Sequence, residues 1–86
     1  MGVQRKHRKT LELIFSHPVN SSIHWKDIEV LFLALGAEIT ERAGSRVAVV
    51  LFDEVRVFHR PHPSPCTDKG AVSSIRKWLE ANEVKL

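Results

Sequence analysis

The sequence predicts an α+β fold of two layers, a three-stranded antiparallel sheet with the helices on one face, in the order α-α-β-β-β-α. Three observations lead there. Apolar residues recur at intervals of three and four near both ends of the chain, as they do in helices with one buried face. Between residues 37 and 60 the interval falls to two, and two short turn sequences divide the stretch into strands. Pro61, Pro63 and Pro65 then end any pairing, because proline has no N–H to give a ladder.

Taken in order, the first helix spans about Lys6 to Ser16 and buries Leu11, Ile14 and Phe15. Arg5, Lys6, His7, Arg8 and Lys9 crowd its start, where each cation opposes the helix dipole by roughly a few tenths of a kcal/mol. Pro18 stops this helix, and Asn20, Ser21 and Ser22 offer N-caps for a second one from about His24 to Leu35. Trp25, Ile28, Leu31, Phe32 and Leu35 form its apolar stripe, and Gly36 stands where a helix closes on a left-handed residue. From Ala37 the alternation gives a first strand that ends at the turn Gly44-Ser45. Val47 to Phe52 is apolar on both faces and reads as the central strand. Asp53-Glu54 is a connection short enough to force an antiparallel return through Val55 to Arg60. After the prolines, Asp68 is an N-cap for a last helix from Lys69 to about Ala81, with Val72, Ile75, Trp78 and Leu79 buried.

Eighty-six residues, 43% of them hydrophobic, suffice for one small domain covering residues 1–86 and exclude a two-domain enzyme. The net charge of +3 and pI near 9.4 are a mild basic excess, whose location matters more than its size. Cys66 is the single cysteine, so no internal disulfide forms, and an unpaired thiol points to a reducing compartment, the cytoplasm. The chain reaches charge at Arg5 before any apolar run of the length a signal peptide or spanning helix requires, so neither secretion nor a membrane is expected. N-myristoylation at Gly2 would need Ser or Thr at position 6, where Lys6 stands. The glycines are dispersed and none opens a phosphate loop, which argues against a nucleotide cofactor.

The residues that could carry chemistry are cations and histidines. Arg5, Lys6, Arg8 and Lys9 are either a solvated helix end or a run that contacts phosphates. Arg46 opens the central strand, Arg56 and Arg60 lie two residues from Phe58 on one face of the third, and Lys69 begins the last helix. These cations could follow a nucleic-acid backbone or be scattered surface charge. The densest stretch is His59 to Asp68. Its His-x-x-His-x-x-x-Cys spacing offers three zinc ligands and no fourth, so no metal is expected. A histidine that exchanges protons near neutral pH is the more natural reading. His62 is held stiffly between Pro61 and Pro63, whereas His59 sits in the strand proper, and a structural role is open to both. Cys66 as a nucleophile would have His59 or His62 as base but no orienting third group. His7, His17 and His24 stand apart and read as surface or capping residues.

In order along the chain, Lys6-His7-Arg8-Lys9-Thr10-Leu11, Trp25-Lys26-Asp27-Ile28-Glu29, Leu35-Gly36-Ala37-Glu38 and Gly44-Ser45 are followed by Phe58-His59-Arg60-Pro61-His62-Pro63 and Asp68-Lys69-Gly70-Ala71-Val72. Together these resemble the HicA family of bacterial type II toxin–antitoxin toxins. The resemblance implies a fold like the double-stranded-RNA-binding domain and a metal-independent endoribonuclease that cleaves mRNA, with no cofactor. It implies a HicB-type antitoxin as protein partner and single- or double-stranded RNA as target. In most members a histidine taken as catalytic follows the Gly-Ser turn; here Arg46 stands in its place. An arginine cannot act as general base, its pKa lying above about 12, but it can bind a phosphate and offset transition-state charge. By the resemblance, His62 is then the proton-transfer group and Arg46 the phosphate clamp. RNA binding is expected from Arg5, Lys6, Arg8 and Lys9 and from Ser45, Arg46, Arg60 and Lys69. The change at Arg46 leaves open an RNA-binding module without cleavage, and the sheet edges leave open a protein-interaction domain.

Overall fold

Leu11 and Ile14 fold the first segment into helix α1 (Arg5–Phe15) in spite of its charge, since Gln4 at the N-cap makes no side-chain hydrogen bond and the first turn holds no acid. The computed structural model describes residues 4–86; Gly2, considered above for lipidation, lies outside them. His7 is buried one turn ahead of Leu11, not on the surface as its isolation in sequence implied, because the apolar stripe of α1 carries that flank inward.

Helix α2 (Trp25–Ala34) begins within one residue of its expected start, but its N-cap is His24 and not one of residues 20–22. Asn20 Oδ1 instead accepts from the Ser22 N–H at 2.6 Å in a local turn. The Trp25 N–H donates to the Pro65 carbonyl at 2.9 Å and the Thr67 N–H to the Ile23 carbonyl at 2.7 Å. His24 thereby faces Cys66 in a short antiparallel bridge. The proline stretch ends strand three as expected but not all pairing, because a proline keeps its acceptor. At its other end α2 closes as predicted. Gly36 has φ +100, and the Gly36 and Ala37 N–H groups return to the Leu33 and Phe32 carbonyls at 3.0 Å.

The strands are β1 (Glu38–Glu41), β2 (Arg46–Leu51) and β3 (Glu54–His59), an antiparallel meander in the order β1-β2-β3. The β2–β3 turn is Phe52-Asp53, not Asp53-Glu54: Leu51 pairs with Glu54, and Phe52 and Asp53 have φ of 56 and 59. Two left-handed residues make this the tight hairpin turn that matches strand twist, and only packing explains a phenylalanine there. The Phe52 ring meets Trp78 edge-on at 5.6 Å, and Glu54 Oε1 accepts from Trp78 Nε1 at 2.6 Å, so both anchors favour this register. Asp53→Gly, at an exposed position with φ 59, is expected to raise stability by about 0.5–1 kcal/mol in denaturant unfolding.

Helix α3 (Lys69–Ala81) is capped as the sequence predicts, Asp68 Oδ1 accepting from the Ala71 N–H at 2.6 Å. Asp68→Ala should lower stability by about 1 kcal/mol, read as a shift of the thermal midpoint. The three helices cover one face of the sheet, where Ile28, Phe32, Val47, Val49, Ile75 and Trp78 form the centre of the core. Phe58 joins them by stacking 6.0 Å from Phe32 and 5.6 Å from Trp25.

Candidate nucleic-acid interface

Strand alternation sorts the candidate residues between two faces. Phe58, Arg56 and Glu54 of β3 point to the helices, so His59, Val57 and Val55 point to the open face. Arg46, Ala48 and Val50 of β2 share that open face, as the partners of His59, Val57 and Val55. The β1–β2 turn is Ala43-Gly44-Ser45, with φ +71 at Gly44 and 64 at Ser45. It is closed by the Arg42 N–H donating to the Arg46 carbonyl at 2.7 Å and braced by Arg46 Nε donating to the Ala43 carbonyl at 3.0 Å.

The Arg60 N–H donates to the Ser45 carbonyl at 2.9 Å, which makes Ser45 and Arg60 a hydrogen-bonded pair. The next pair, Arg46 and His59, is therefore of the wider kind whose side chains approach most closely, with Cβ atoms about 4.5–5.5 Å apart. Arg42, Arg46 and His59, all exposed, follow one another across the sheet at one end. Next to them lies an apolar strip in which Val50, Val55 and Val57 are 37%, 59% and 51% exposed. His59 and Arg42 are the residues that sequence reasoning did not join to Arg46.

The other predicted residues are dispersed. His62 is exposed on the segment between β3 and α3, beyond Arg60. Arg60 lies on the helix side, where Nε donates to Glu29 Oε2 at 3.1 Å and Nη1 lies 3.4 Å from Glu41 Oε1. The hydrogen bond to Glu29 pushes the Arg60 pKa further above its ordinary value, and Glu29 also accepts from Trp25 Nε1 at 2.8 Å. The charge of Arg60 is thus met by two carboxylates at a half-exposed position, and the ion pair with Glu29 ties the end of β3 to α2. Arg5, Lys6, Arg8 and Lys9 are exposed on α1, and Lys6 and Lys9 line a cleft of about 330 Å³ with His7 and Asp27. Lys69 is exposed at the first turn of α3. Phe58, which lies between Arg56 and Arg60 on one face of β3, packs against the core and not on an open nucleic-acid surface.

Among the described residues no three His, Cys, Asp or Glu side chains gather as a metal site would need. None of their helices is long and apolar enough to cross a membrane. What the open face offers is an arginine and a histidine at directly opposed positions of β2 and β3. The first can hold a phosphate through paired N–H donors, and the second can move a proton at the same phosphodiester.

No curated protein and no solved structure matches the chain. The family model of the HicA toxin of bacterial toxin-antitoxin systems does match, over residues 25–81. That span runs from the first residue of α2 to the last of α3, so it takes in the whole sheet and leaves out α1. With well over half of the sequence matched and the helices and strands in the expected order, the chain belongs to the HicA toxin family of bacterial toxin–antitoxin systems.

Proposed function

We propose that this toxin is a cytoplasmic, metal-independent endoribonuclease of one domain that cleaves mRNA and is neutralised by a HicB-type antitoxin. Family membership supports the toxin role, and the observation that carries the chemistry is the pairing of Arg46 with a histidine across the open face. In this reading Arg46, with Ser45 in the adjoining turn, holds the scissile phosphate. A histidine takes the proton of the ribose 2′-hydroxyl, the 2′-oxygen attacks phosphorus as the bond to the 5′-oxygen breaks, and that oxygen takes up a proton from water while the imidazolium returns its own to solvent. The products are a 2′,3′-cyclic phosphate and a free 5′-hydroxyl. His62 is the family-derived candidate for proton transfer, and His59 is the one that faces Arg46. Arg5, Lys6, Arg8, Lys9 and Lys69 contribute to RNA binding through positive charge, which draws phosphates without reading sequence, and Arg60, whose charge Glu29 and Glu41 already meet, contributes by fixing the end of β3.

Structured and unstructured transcripts incubated with the protein in the absence of added metal test this directly, beside Arg46→Ala and His62→Ala. Cleavage by wild type that Arg46→Ala reduces supports the assignment. Intact transcripts that wild type still retards on a gel would leave an RNA-binding module, the second reading, which Arg46 in the usual histidine position favours. In bacteria, growth arrest relieved by the antitoxin is the expected phenotype.

A further inference from the structure

The cations of the helix side include two that the open face does not use. Between the exposed edge of β3 and the outer flank of α3 lies a cleft of about 410 Å³ whose polar lining is Arg56, Ser73, Ser74 and Lys77, floored by Trp78. No carboxylate lines it. Ser73, Ser74 and Lys77 recur at the three- and four-residue spacing that puts side chains on one helix flank, while Val72, Ile75 and Leu79 of the same helix are buried.

Arg56 is held in an unusual way for a cation with an acid near it in sequence. Its guanidinium lies 5.0 Å from the centre of the Trp78 ring, and Glu54, the nearest acid on its strand, is already engaged by Trp78 Nε1 at 2.6 Å. Among the described residues Arg56 and Lys77 have no ion-pair partner, and Ser73 and Ser74 make no side-chain hydrogen bond. The indole is fixed by that bond and by Phe52 and Phe58, at 5.6 and 6.2 Å, so the stacked guanidinium is oriented while its N–H edge stays free. A guanidinium, an ammonium and two hydroxyls around an open cleft, with no opposing acid, match a tetrahedral oxyanion. The cleft is wider than a lone phosphate needs, which suits a phosphate carried in a chain.

We propose that this cleft binds a backbone phosphate of the RNA strand away from the point of cleavage. The inference rests on the RNA reading given above. Arg56 is three residues from His59 on β3, about 10 Å along the strand, and β3 is a free edge, so one RNA chain can pass from the open face around that edge.

Binding of a fluorescent single-stranded oligoribonucleotide, measured at several salt concentrations, separates the two proposals. Arg56→Gln combined with Lys77→Gln is expected to weaken binding about tenfold and to lower the slope of log affinity against log salt by about 0.7, the share of one phosphate. Ser74→Glu, which puts a carboxylate at the cleft and leaves the Trp78 stack in place, should weaken binding likewise. In the wild type, RNA should shift the NMR signal of the Trp78 indole N–H more than that of Trp25. RNA binding that is unchanged in both variants, with a still Trp78 signal, overturns the cleft and spares the RNA reading. Absence of RNA binding by wild type overturns both.

Discussion

Trp78→Ala is expected to lower the stability of the fold by about 3–5 kcal/mol, the largest loss of any single truncation. Its side chain is 2% exposed and touches rings from α2, the hairpin turn and β3: Phe32 at 5.8 Å, Phe52 at 5.6 Å and Phe58 at 6.2 Å. The truncation opens a cavity that these rings cannot fill without moving three elements, and it leaves the Glu54 carboxylate and the Arg56 guanidinium without their partner. Domains of this size hold about 5–15 kcal/mol in all, so the thermal midpoint should fall by roughly 15–30 °C in circular dichroism. Trp78→Phe keeps most of the buried area and removes the hydrogen bond of 2.6 Å to Glu54. About 1–3 kcal/mol is expected for it. Equal losses in the two variants would assign the effect to the hydrogen bond and not to packing.

The elements were legible in the sequence because each is marked by a local device. Gly36 has the backbone that ends a helix, Asp68 has the carboxylate that starts one, and the change of period at Ala37 separates helix from strand. What was not legible depended on contacts between distant residues. The start of α2 near His24 was legible, but not its cap, which is His24 with the Ile23 and Trp25 backbones meeting Thr67 and Pro65 and not residues 20–22. His7 looked solitary because its burial comes from α1 packing as a whole.

The candidate site turned on one turn. With Asp53-Glu54 as the connection, Arg46 would oppose Pro61 and no histidine would lie beside it. With Phe52-Asp53, Arg46 opposes His59. Side-chain anchors on Trp78 decide between the two registers, and sequence periodicity alone is blind to them. The same long-range packing explains Phe58 and Arg60. Alternation put them on one face correctly, but only the helices show that this face is the covered one, with Arg60 paired to Glu29.

That register makes the histidines the decisive residues for activity. His59→Ala is expected to slow RNA cleavage by about 10²–10⁴-fold, the usual share of a positioned acid or base, with RNA affinity nearly unchanged. His62→Ala should have the smaller effect, because His62 lies beyond the strand ladder whereas His59 is set in it, directly opposite Arg46. Arg46→Ala should weaken binding and rate together, since a phosphate clamp acts before and during the reaction. The exchange of positions gives the sharpest comparison. If the imidazole has moved from β2 to its partner position on β3, then Arg46→His joined to His59→Arg keeps both groups on the same pair of sites. That double variant should recover most of the rate lost by His59→Ala, measured in single-turnover cleavage of one labelled transcript. A silent double variant beside an active wild type would mean that proton transfer depends on the loop histidine, and a larger loss from His62→Ala than from His59→Ala would say the same.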